Sequence, residues 1–215
     1  MTNPPTVSAT SRNQLLRRGL RLESLTIVWN VVEAVIAVGA GSIAGSVALV
    51  GFGLDSVIET LAGAALYGRL RAELRGTSLE VSEIHERRAL WIVGVTFLLL
   101  GAYILYEAGE TLWLGQAPER SIVGMLVAAV SLALMPALGW AKYRTGLALG
   151  SRALLADAKE TLVCVYLSLT LLVGLGLNAW LGWWWADPVA ALVMLPFVLH
   201  EAWEALEEAR GEGED

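Results

Sequence analysis

The chain is poor in charge: Asp, Glu, Lys and Arg make up only 17% of its 215 residues, against roughly 25% in an average soluble domain. Cysteine is nearly absent. With Cys164 alone, no disulfide can form within the chain, and two histidines exclude a His-rich centre. No glycine-rich phosphate loop, nucleophile motif or nucleic-acid signature occurs, so neither an enzyme nor a nucleic-acid partner is expected. The first 23 residues also lack an apolar run, carrying Pro4 and Pro5 and then Arg12, Arg17, Arg18 and Arg21. Residues 1–23 therefore read as a short cytosolic arm and not as a cleaved signal.

What the chain has instead is hydrophobicity, with 56% apolar residues and a mean hydropathy of +0.59. The apolar residues fall into runs at 25–44, 47–67, 89–112, 122–141, 153–177 and 183–199. Each is near the roughly 20 residues that a helix needs to cross a hydrocarbon core of ~30 Å. The expected fold is an all-α membrane protein of six transmembrane helices over 24–206, followed by an acidic tail at 207–215. A net charge of -6 says little here, because several of the acids lie within the apolar runs. Gly45-Ser46, Gly150-Ser151, Gln116-Ala117-Pro118 and Asp187-Pro188 mark turns or helix starts.

The cations set an orientation. Arg17, Arg18 and Arg21 precede the first helix, Arg69, Arg71, Arg75, Arg87 and Arg88 lie between the second and third, and Lys142 and Arg144 between the fourth and fifth. The opposite connections hold only Arg120, so the positive-inside rule puts both termini in the cytoplasm. Trp29, Trp91, Trp140 and Trp203 then fall toward the inner ends of the helices. Trp113, Trp180, Trp183, Trp184 and Trp185 fall toward the outer ends, as two interfacial belts.

The two halves resemble each other. Gly45-Ser46-Val47-Ala48-Leu49 opens the second helix and Gly150-Ser151-Arg152-Ala153-Leu154 the fifth, and nine residues after each Ser stands an acid followed by a hydroxyl, Asp55-Ser56 and Glu160-Thr161. Those helices run in opposite directions, so the match describes an inverted repeat of three plus three helices, the plan on which many secondary transporters build a midplane site. Nine residues rise ~13 Å, which places Asp55 and Glu160 near the bilayer centre. A carboxylate there costs several kcal/mol unless it has a partner, a proton or a cation. Glu59 lies one turn beyond Asp55 and Cys164 one turn beyond Glu160, each on the same helix face as its companion. Three carboxylates and a thiol suit a tetrahedral divalent metal. The competing reading makes Cys164 a small packing residue and Glu59 a solvated one.

Gly45-Ser46-Val47-Ala48-Leu49 with Asp55, Ser56 and Glu59, and Ala153-Leu154-Leu155-Ala156-Asp157 with Glu160 and Cys164, resemble the second and fifth transmembrane helices of the cation diffusion facilitator family. The resemblance spans about residues 24–206. It implies a six-helix, usually homodimeric transporter that exports zinc or related divalent metals in exchange for protons, with Asp55, Glu59, Glu160 and Cys164 as ligands. The family usually has His or Asp where this chain has Glu, Glu and Cys, and it usually carries a cytosolic metal-sensing domain after the sixth helix, where this sequence has about ten residues.

Other polar residues have two readings each. Asn30 and Glu33 face the same cavity as further ligands or a proton relay, or else hydrogen-bond a neighbouring helix. Asp157 and Lys159 read as an ion pair or helix-start feature ahead of metal binding. Glu107 and Glu110 mark an exit vestibule or interfacial solvation. His85 with Glu83 and Glu86 reads as a solvated loop ahead of a second metal site. Gly39, Gly41, Gly45, Gly51, Gly53 and Gly63 favour close packing of the first two helices. The expected function is proton-coupled efflux of a divalent metal across the plasma membrane by alternating access. No cofactor is permanently bound: the transported ion is zinc by first choice, with Cd²⁺, Mn²⁺ or Fe²⁺ as alternatives, and its partners are protons and the lipid bilayer. A metal-gated channel and a non-transporting metal-binding sensor or scaffold are the rivals.

Overall fold

A computed structural model describes residues 9–76 and 80–210, with side chains at 11–76, 90–207, 209 and 210. Six α-helices follow one another: α1 Ala9–Ala44, α2 Val47–Arg75, α3 Glu80–Leu114, α4 Ile122–Leu149, α5 Arg152–Leu181 and α6 Ala186–Arg210. All six are long and apolar enough to cross a membrane. α1 has 36 residues, about 54 Å at ~1.5 Å each, so it extends well past a ~30 Å hydrocarbon core. The extra length comes from 9–23, expected as a separate arm: these residues continue the helix, and Glu23 is fully buried. His85, Glu83 and Glu86 fall in the first turns of α3, with side chains outside the described residues, as are the tail residues beyond 210.

The outside of the bundle is apolar. Val35, Ile43, Leu99 and Ile122 are all exposed, an arrangement that water would penalise and lipid accepts. Trp113 and Trp180, near the C-terminal ends of α3 and α5, project outward. Trp29 does not join a belt as expected. It turns inward and donates from Nε1 to Ser131 Oγ at 2.8 Å. The core draws on all six helices, with Ala37, Phe52, Met135 and Leu171 joined by Ile104 of α3 and Met194 of α6. α1 packs on α2, α4 on α5 and α3 on α6, while α1–α4 and α2–α5 join the halves.

α2 and α5 start with the same backbone device. Gly45 and Gly150 take φ of 65° and 67°, a left-handed conformation that glycine adopts without a Cβ penalty. The serine that follows caps the next helix: Ser46 accepts from Leu49 N and Ser151 from Leu154 N, with φ/ψ of -91°/109° and -91°/107°. The first cap gains a partner from α6. Asp187 Oδ1 accepts from Ser46 Oγ, and Oδ2 accepts from Val47 N at 2.9 Å, a negative charge at the positive end of the α2 dipole. This contact sets the start of α6 level with the start of α2.

The small-residue stripe divides into separate roles. A Cβ at Gly53 would lie 2.8 Å from Val38 N, and one at Gly41 2.8 Å from Val50 N, so these two permit the α1–α2 approach. Gly51 instead faces Ile104 of α3, and Gly39 meets nothing. Gly63 makes room for Glu23, whose Oε1 would lie 2.5 Å from an added Cβ.

Candidate metal centre

Asp55 and Glu59 lie one turn apart on α2, and Cys164 lies on the facing side of α5. One donor atom from each falls within 4.8 Å of the others. Donors 2.0–2.3 Å from a tetrahedral ion stand about 3.3–3.8 Å apart, so a contraction of about 1 Å closes the set around a metal. Asp55 and Cys164 are buried and Glu59 is half-buried. Asp55 Oδ2 has no hydrogen-bond partner, a costly state for a buried carboxylate.

The remaining sequence candidates take three different positions. Glu160 is not in the close group but lines a cavity with Asp55 and Glu59. That cavity has room for about one water-sized particle. Asn30 of α1 donates from Nδ2 to Glu59 Oε2 at 2.9 Å and so orients a candidate ligand. Glu33 is held by two hydroxyls, accepting from Ser56 Oγ at 2.9 Å and from Ser131 Oγ. With Trp29 bonded to Ser131, the Glu33 network ties α1 to both α2 and α4.

The cavity wall comprises Asp55, Glu59, Glu160 and Glu201, with Ala62, Phe97, Val163 and Leu167. Glu201, on α6, was not singled out as a site residue from the sequence. One acid near the polar end of an apolar run gives no signal. The α6 packing against α2 and α5 brings it in.

One cation is buried close by, and it was misplaced by the sequence reading. Lys142, counted among the connecting-loop residues, is fully buried inside α4, because that helix continues to Leu149. Its Nζ lies 3.0 Å from Glu23 Oε2 and 2.7 Å from Asp157 Oδ2. Asp157 therefore pairs with Lys142 on another helix, while Lys159 is exposed. The triad joins α1, α4 and α5 about one turn from Glu160 along α5. It engages Lys142 with two acids, so the lysine leaves the carboxylates of the cavity without a full counter-charge.

Over residues 24–212 the chain matches the family described as the cation efflux transmembrane domain. The chain belongs to the cation efflux family. It is 28% identical over 160 residues to an uncharacterized transporter of Synechocystis sp., covering 73% of this chain and 52% of that protein. It is 28% identical over 117 residues to the cation-efflux pump FieF of Shewanella oneidensis, covering 54% and 38% respectively. The chain thus matches about half the length of the first relative and less of the second. Family and helices together make it an integral, multi-pass membrane protein of a transporter family, not an enzyme.

Proposed function

We propose that this protein carries a divalent metal ion, zinc first, across the membrane in exchange for protons, by alternating access. Asp55, Glu59 and Cys164 hold the ion, and Glu160 joins from α5. The observation that carries this reading is the convergence of those three donor sets within 4.8 Å in a bundle whose outer surface is apolar. Cation efflux membership supports it from outside the geometry. The relative named as a cation-efflux pump points the same way.

Proton exchange follows from charge. With Asp55, Glu59, Glu160 and Cys164 deprotonated the site holds four negatives, and a dication cancels two. An empty site in a low-dielectric bundle cannot keep that charge, so departing metal is replaced by protons. The thiolate favours Zn²⁺ or Cd²⁺, while the carboxylates also accept Mn²⁺ or Fe²⁺. Both termini in the cytoplasm, a plasma-membrane location and a homodimer complete the proposal, the first by the arginine distribution and the last by family resemblance.

Reconstitution into vesicles tests it. With a panel of divalent cations and an imposed pH gradient, Zn²⁺ uptake is expected to be driven by the gradient and to fall when it is collapsed. Flux that persists unchanged after collapse identifies a channel, and absence of flux for every divalent ion identifies a sensor or scaffold.

A further inference from the structure

The wall of the cavity consists of four carboxylates and four apolar side chains, and Asn30 reaches Glu59 from outside it. Asp55 is only 4% exposed, and its Oδ2 is unpartnered. A buried acceptor without a partner, on a residue that lines a cavity, calls for a guest there. Glu201 faces the same space and is itself 9% exposed.

Its height along the bundle can be read from the α2 cap. Asp187 is level with Val47, whose N–H it accepts. From that level, at ~1.5 Å per residue, Asp55 lies about 12 Å along α2, Glu59 about 18 Å, and Glu201 about 21 Å along α6. Glu201 therefore falls in the same stretch of the bundle as the α2 pair, whose cavity it lines. α6 reaches this place by departing from the symmetry of the halves: it packs on α2, whereas α3 makes no comparable contact with α5 among the described residues.

We infer that Glu201 is a cation-handling residue of this cavity: it receives the divalent ion across the space it shares with Asp55 and passes it to Asp55, Glu59 and Cys164. The inference rests on the metal-transport reading above. The receiving position is built from oxygen donors, Glu201 and Glu160 with the shared Asp55 and Glu59. It accepts Mn²⁺ as well as Zn²⁺, and the larger part of the discrimination comes where the Cys164 sulfur is met.

The test compares initial uptake rates of Zn²⁺ and Mn²⁺ across metal concentrations in vesicles holding the full chain. Glu201→Gln keeps the size and removes the charge. It is expected to raise the half-saturating concentration of both ions about tenfold or more, and Glu201→Asp to recover most of the loss. A packing role predicts the opposite order, with Gln close to wild type and the shorter Asp worse. That order, or an unchanged half-saturating concentration in Glu201→Gln, overturns the inference. If Glu201→Gln does not fold, Glu201→Cys decides: a thiol at the receiving position shifts preference from Mn²⁺ toward Cd²⁺, and no shift overturns it. Asp55→Asn separates the two levels. Wild-type uptake by Asp55→Asn removes the metal-transport reading itself, whereas loss of uptake there with unchanged half-saturation in Glu201→Gln removes Glu201 alone.

Discussion

Asp55→Asn is expected to reduce metal uptake by about 100-fold or more, since it deletes a charged ligand and not an orienting group. The same variant should be at least as thermostable as wild type. Asp55 is 4% exposed with one oxygen unpartnered, so its charge is a burden to the empty protein and the neutral amide relieves it. Function and stability therefore move in opposite directions at this position, as at other strained sites. Uptake assays in vesicles and thermal unfolding in detergent check the two halves of the expectation. Near-normal uptake, or a large loss of stability, contradicts it.

The second large effect is on stability and falls on Lys142. Its ammonium is fully buried between Glu23 and Asp157, and Lys142→Met leaves two carboxylates without their counter-charge. Breaking a buried ion pair from one side costs about 3–5 kcal/mol. Most of that cost belongs to the stranded charges and not to a lost attraction, so adding Glu23→Gln and Asp157→Asn should restore much of the stability. Unfolding midpoints of the single and triple variants measure this. A single variant as stable as wild type would show that the triad is not a structural tie between α1, α4 and α5.

The pattern of legible and illegible features has physical causes. Six spans and their breaks were readable because bilayer thickness fixes the length of an apolar run, and because Gly45-Ser46 and Gly150-Ser151 use a cap with a strong sequence signature. Asp55, Glu59 and Cys164 were readable because residues four apart share a helix face, so each pair needed only to face the other. Helix ends beyond the hydrocarbon were not readable. Polar residues extend a helix as well as they make a loop, so Glu23 and Lys142 looked like arm and loop residues until α1 and α4 were seen to continue through them. Interhelical choices were also hidden. The i, i+3 proximity of Asn30 and Glu33 suggested one shared role, yet Asn30 bonds Glu59 while Glu33 bonds Ser56 and Ser131. Likewise the position of Glu201 depends on how α6 lies against α2, which no local pattern in α6 encodes.

The ligand set of bound zinc is the most direct measure of the central proposal that Asp55, Glu59 and Cys164 hold the transported ion. X-ray absorption at the zinc edge, on the purified chain loaded with one equivalent of Zn²⁺, should give one sulfur at about 2.3 Å and oxygens at about 2.0–2.2 Å. Cys164→Ser should remove the sulfur contribution and leave the oxygens. A shell of oxygen and nitrogen alone in the wild-type protein, or a sulfur contribution that survives Cys164→Ser, would contradict the proposed site.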